Sequence, residues 1–190
     1  MKSHSPSDGE GVPNSAPRSS GAGHDKLSLR ELIFLSMAGG IIFAAKMALV
    51  AFPNVHLNAV IMILLTIFFR WKAFLAVMVY IMLEGMTFGF GLWWFCYWYL
   101  WPLLIALAML FRNSRSVLLW AALAGMHGLC FGALCSVPYV FLGGWRTAFA
   151  MWISGIPYDI VHCTGNFVFT LVLYKPLYAL MERFVPRLRN

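Results

Sequence analysis

The chain has 190 residues, 61% of them hydrophobic and 11% charged, with a formal net charge of +7 and a mean hydropathy of +0.76. Soluble domains carry about 25% charged residues, so this balance excludes one and predicts an all-α integral membrane protein. Its basic residues sit in small groups between apolar runs rather than on one face, which argues against a nucleic-acid partner.

Residues 1–28 begin "MKSHSPSDGEGVPNSAPRSSGAGHDK". This stretch is rich in Ser, Gly and Pro and has too little apolar surface to offset ordering entropy, so it reads as a disordered cytoplasmic tail. The apolar run that follows starts too late and is too long for the core of a signal peptide, so it is expected to stay as an anchor. A crossing takes about 20 apolar residues, and the runs and their breakers place about six: 32–52, 57–69, 73–88, 93–111, 117–141 and 156–175. Together they form one compact membrane domain over 29–183, with a basic tail at 184–190.

Lys26 and Arg30 precede the first run; Arg70 and Lys72 separate the second from the third; Arg112 and Arg115 separate the fourth from the fifth. Lys175, Arg183, Arg187 and Arg189 follow the sixth, and the opposite loops hold only Arg146. Cytoplasmic loops carry the excess of Lys and Arg, which predicts both termini inside and an even number of crossings.

Five ionisable residues interrupt the apolar runs: Lys46, Glu84, His127, Asp159 and His162. Charge is costly in hydrocarbon and turns toward the bundle interior or a wet cavity. Asp159, His162 and Asn166 fall at spacings of three and four, on one helix face. Counting outward from Lys175 at about 1.5 Å per residue puts Asp159 near the outer surface, where Pro157 suits a first helical turn. Glu84, with Asn54, His56 and Asn58, belongs to the same outer half, and the shape expected is a pocket open to the outside.

The fourth run opens "WWFCYWYLW", seven aromatics in nine positions. An interfacial belt accounts for rings on the lipid side, but this run goes right around its helix, so some rings must point inward. Trp94 and Tyr97 are candidate stacking surfaces for a flat small molecule. Tyr139, Trp145, Trp152 and Tyr158, between the fifth and sixth runs, are candidates for a lid, with interface anchoring as the rival reading. Small residues recur every four positions at Gly40, Ala44 and Ala48 and at Ala124, Gly128, Gly132 and Ser136, ladders that let helices approach closely in lipid. The second ladder is expected to pack inside the bundle; for the first, internal packing and docking to another protein are equally open.

Several chemistries lack their motifs. The chain has no GxxxxGK[ST] phosphate loop and no HExxH. Ser154 precedes Pro157, and His162 shares its helix instead of facing it, which fails the arrangement of an intramembrane serine protease. Cys96, Cys130, Cys135 and Cys163 lie without CxxC spacing, reading as packing residues rather than disulfides or zinc ligands. No enzymatic activity, cofactor or metal is expected.

The segment Gly155–Tyr178, "GIPYDIVHCTGNFVFTLVLYKPLY", with its D-x-x-H-x-x-x-N face and terminal KPL, resembles the last helix of the substrate-binding S components of energy-coupling factor (ECF) vitamin transporters. The length, six crossings and Ala44-x-x-x-Ala48 agree with that family. The resemblance implies a subunit that captures a vitamin or cofactor precursor at the outer face of a prokaryotic cell membrane. It also implies a transmembrane T component and two ABC ATPase subunits as partners, with Ala44 and Ala48 on the T-component face. Lys46 departs from the pattern, because a charge beside that stripe must face another way. The expected ligand contacts are Glu84, Asp159, His162 and Asn166, with Asn54, Asn58, Trp94, Tyr97, Tyr139 and Tyr158 around them. A stand-alone proton-coupled transporter of a small aromatic or heterocyclic solute is the alternative.

Overall fold

The computed structural model describes residues 27–51 and 56–189. Helix α1 (Leu29–Ala48) starts at a reciprocal cap: the Ser28 hydroxyl accepts from the Glu31 amide, and the Glu31 carboxylate accepts from the Ser28 amide, both at 3.1 Å. This S-x-x-E signature satisfies two otherwise orphaned backbone donors, and it starts the helix three residues before the expected crossing. The tail expected over 1–28 lies outside the described residues except for Leu27 and Ser28.

Helix α2 (Asn58–Phe69) stops at Arg70, whose φ of 57° lies in the left-handed region. A 3₁₀ turn over Arg70–Ala73 leads into α3 (Phe74–Phe88). The reversal is real: Asn58 Nδ2 donates to Tyr80 Oη at 2.9 Å although 22 residues separate them. Helices α1 and α3 run parallel, since Lys72 pairs with Glu31 at their N-terminal ends and Lys46 with Glu84 at their C-terminal ends.

Gly89 (φ 89°) ends α3, and α4 (Leu92–Phe111) follows with Pro102 inside it. Helix α5 (Val117–Leu129) begins at Ser116, whose side chain accepts from the Leu119 amide. After a turn at Cys130, α6 (Phe131–Arg189) is continuous helix except at Gly144, where φ 74° and ψ 179° reverse the chain. A residue with a Cβ is strained at that φ, so glycine carries the break. Beyond it, α6 runs back antiparallel to α5, with His162 against Gly128 and the Tyr174 ring stacked on Trp120.

Three sequence expectations are corrected here. Pro157 does not start a helix: α6 passes through it, as membrane helices do when neighbours satisfy the freed backbone groups. The segment between the fifth and sixth runs is helical on both sides of Gly144, so no long loop exists there to form a lid. The stretch 184–188 continues α6 rather than forming a separate tail.

Among the described residues every element is helical. Leu29–Ala48, Asn58–Phe88, Leu92–Phe111 and Val117–Leu188 are long and apolar enough to cross a membrane. Leu35, Ile63, Tyr80, Leu100, Trp101, Leu104 and Trp120 fill the core, while Met37, Ile41, Leu110, Phe141 and Val172 stand exposed. A helical surface this apolar is what a bilayer solvates.

Candidate functional site

The end of the bundle away from the Glu31–Lys72 pair collects the intramembrane polar residues in two groups. In the first, Lys46 on α1 turns inward and pairs with the fully buried Glu84 on α3. Its ammonium also lies 5.2 Å from the Phe88 ring centre and 5.9 Å from that of Tyr97. Tyr97 stacks on Tyr80 at 6.2 Å, and Tyr80 accepts the hydrogen bond from Asn58.

The second group is built on α6. Asp159, His162, Asn166 and Thr170 are buried, whereas Ile160 and Val161 between them, and Tyr158 just before, are exposed. The polar face therefore turns into the bundle, and glycines on the opposing helix segments make room for it. A Cβ on Gly128 would stand 2.9 Å from the His162 carbonyl oxygen and from Asn166 Nδ2; one on Gly132 would run into the Asp159 carboxylate. Gly132 donates its amide to Asp159 Oδ1 at 2.9 Å, and Asn166 donates to the Ala124 carbonyl at 3.3 Å. The ladder from Ala124 to Ser136 thus packs within the bundle at Gly128 and Gly132.

His162 lies 5.1 Å from the His56 ring and 4.8 Å from that of Phe131. Phe131 in turn is 6.0 Å from Tyr97. Tyr97 and Phe131 therefore form an aromatic partition with Lys46 and Glu84 on one side and His162 on the other. Tyr80 and Phe131 are the residues that the sequence reading missed. Their signal was present, since each stands four positions from a polar intramembrane residue, Glu84 and His127 respectively, on the same helical face.

The aromatic run sorts as its density requires. Trp101 is buried, Tyr97 and Trp94 are partly buried, and Phe95 is 57% exposed. Trp94 is held by a 2.9 Å hydrogen bond from its indole to the Ile81 carbonyl. Tyr158 and Trp145 are 57% and 78% exposed. Tyr139 lines a small cavity of about 150 Å³ with Trp93, Ser136 and Met151, adjoining Gly132 and so the Asp159 carboxylate. Asn54 lies outside the described residues.

Among the described residues, several buried polar atoms here have no hydrogen-bond partner: Glu84 Oε1, Asp159 Oδ2, Asn58 Oδ1 and His162 Nε2. Three are acceptors. Because Lys46 balances Glu84, Asp159 is the carboxylate left without a cation, so the acidity of the site is half what the sequence suggested. Such an arrangement can recognise a donor-rich guest, since leaving buried acceptors unpaired costs about 1–3 kcal/mol each.

On the outside of α1, nothing lies within 4 Å of a Cβ built on Gly40, and Ala44 and Ala48 are exposed. Gly39, one position away, instead packs against Ala76 and Val79 of α3. At the opposite end of the bundle, a larger cavity of about 430 Å³ is lined by Arg112, Arg115, Lys175 and their neighbours. Comparison with protein families, characterised proteins and solved structures finds no match to this chain.

Proposed function

We propose that this chain is the substrate-binding subunit of an ECF-type transporter in a prokaryotic cell membrane. Reversals at Arg70 and Gly144 divide the apolar stretches into six crossings with both termini inside, and the polar groups around Asp159, His162 and Glu84 bind a vitamin or cofactor precursor from outside. A transmembrane T component docks on Gly40, Ala44 and Ala48, and two ABC ATPase subunits supply the energy.

The observation that carries this reading is the sorting of α1. The charge within its apolar run, Lys46, turns inward to Glu84, while Gly40 of the small-residue stripe meets no neighbouring helix. A stand-alone bundle has no use for a close-approach surface that touches none of its own helices. The cavity beside Asp159 is below the roughly 300 Å³ of a small-molecule pocket, so capture requires Tyr139 and Met151 to move outward as the guest enters.

Native mass spectrometry of the detergent-purified chain tests the capture step. Wild type retains a small molecule from its host; Asp159→Asn and His162→Ala, still folded by circular dichroism, lose it. Equal retention by both variants removes the pocket. Ala44→Trp should block assembly with a T component while sparing that retention, and unimpaired assembly removes the docking face.

The buried Lys46–Glu84 pair supports a second reading, a proton-coupled transporter working alone, because intramembrane ion pairs serve as proton relays. Uptake into vesicles by this chain alone, abolished by an uncoupler, decides for it; dependence on ATP and partner subunits decides against.

A further inference from the structure

The cavity at the opposite end is not used by substrate capture. The loop after α4 contributes Arg112 and Arg115, and α6 contributes Lys175, Tyr174, Tyr178 and Glu182. None of the three cations forms an ion pair or a side-chain hydrogen bond among the described residues. Three basic groups against one carboxylate leave a net charge of +2 around about 430 Å³, with two tyrosine rings in its wall. Unpaired cations around one cavity repel one another unless an anion joins them.

The bordering surface is apolar. Leu110, Leu118 and Val172, each within three residues in sequence of a residue that lines the cavity, are 74%, 61% and 63% exposed. A charged hollow bordered by hydrocarbon-facing side chains matches a lipid, with headgroup in the hollow and chains along the flank. Arginine forks grip phosphate through paired hydrogen bonds, and basic pockets between helices on the cytoplasmic side suit anionic headgroups. Glu182 can accept a hydrogen bond from a headgroup hydroxyl.

We propose that this cavity is a binding site for a phosphate group, carried by an anionic lipid of the cytoplasmic leaflet and gripped by Arg112, Arg115 and Lys175. The leaflet, though not the phosphate chemistry, rests on the orientation proposed above.

The test uses the full chain in detergent and reads bound lipid by native mass spectrometry, with no transport ligand or partner subunit, so failure of the uptake reading does not affect it. Dioctanoyl-phosphatidylglycerol should be retained at one copy per chain and dioctanoyl-phosphatidylcholine should not displace it. The double variant Arg112→Ala/Arg115→Ala should weaken retention roughly thirty-fold, from the usual contribution of a basic residue to anionic-lipid binding. Lys175→Gln, a single milder change, should weaken it about five-fold, and Arg115→Lys should restore part of what Arg115→Ala loses. Equal retention of the two lipids, or undiminished retention in the double variant and in Lys175→Gln, overturns the site. Inorganic phosphate and glycerol 3-phosphate separate the sources: if either displaces the lipid at equal concentration, the lipid assignment is overturned in favour of a soluble phosphate compound.

Discussion

Lys46 and Glu84 are single charges in otherwise apolar runs, and each is tolerable because the other is there. Glu84 is fully buried and Lys46 is largely so. Removing one member of a buried pair leaves an uncompensated charge and costs about 3–5 kcal/mol, whereas replacing both with apolar groups of similar size is often near neutral. Lys46→Met should therefore lower the stability of the chain to denaturation in detergent by about 3 kcal/mol. The double variant Lys46→Met/Glu84→Met should recover most of it. A double variant no more stable than Lys46→Met would show that Glu84 is held by other contacts. From the sequence, Lys46 reads as a disturbance of the α1 stripe; the structure makes it Glu84's counterion.

Glycine sets how closely the helices approach, and two glycines in small-residue ladders give opposite expectations. A Cβ at Gly128 meets backbone of α6 at 2.9 Å, which cannot move aside as a flexible side chain would, while one at Gly40 meets nothing. Gly128→Ala should destabilise the folded chain by about 1–3 kcal/mol, visible as a lower melting temperature in detergent. Gly40→Ala should leave that temperature unchanged or slightly raised, since alanine is the better helix former by about 1 kcal/mol. A melt that falls equally for both would mean that α1 packs its outer face in solution. The two ladders look alike as spacing, and only the rotation of each helix about its axis separates the internal one from the exposed one.

At the scale of the whole molecule, the basic residues of separate loops converge on one end. Arg112, Arg115 and Lys175 line the same cavity, and Lys72 reaches the start of α1. The intramembrane acids stand at the other end. With Cys96, Cys130, Cys135 and Cys163 replaced by Ala, Arg115→Cys and Arg183→Cys should be labelled by a membrane-impermeant maleimide only after cells are opened, and Arg146→Cys in intact cells. All three positions are exposed. Labelling of Arg146→Cys and Arg115→Cys from the same side would break the proposed topology. The charge asymmetry reads out orientation because each short loop is inserted under the same bias, independent of how the helices later pack.

What the amino-acid sequence determines by itself is local and additive: apolar runs long enough to cross lipid, glycine breaks near the right places, the cap at Ser28, the loop charges, and the shared face of Asp159, His162 and Asn166. Periodicity gives each side chain an angle about its own axis, so that face could be read before any neighbour was known. Periodicity does not say how a helix is turned relative to the others, because in lipid an apolar side chain has no strong preference between bilayer and bundle. Close packing of glycine against backbone and pairing of buried polar groups make that choice, and both depend on residues far apart in the chain. The tertiary structure therefore decided that Lys46 meets Glu84, that Tyr80 and Phe131 join the polar residues, that Tyr158 and Trp145 are exposed, and that the larger cavity lies among the arginines.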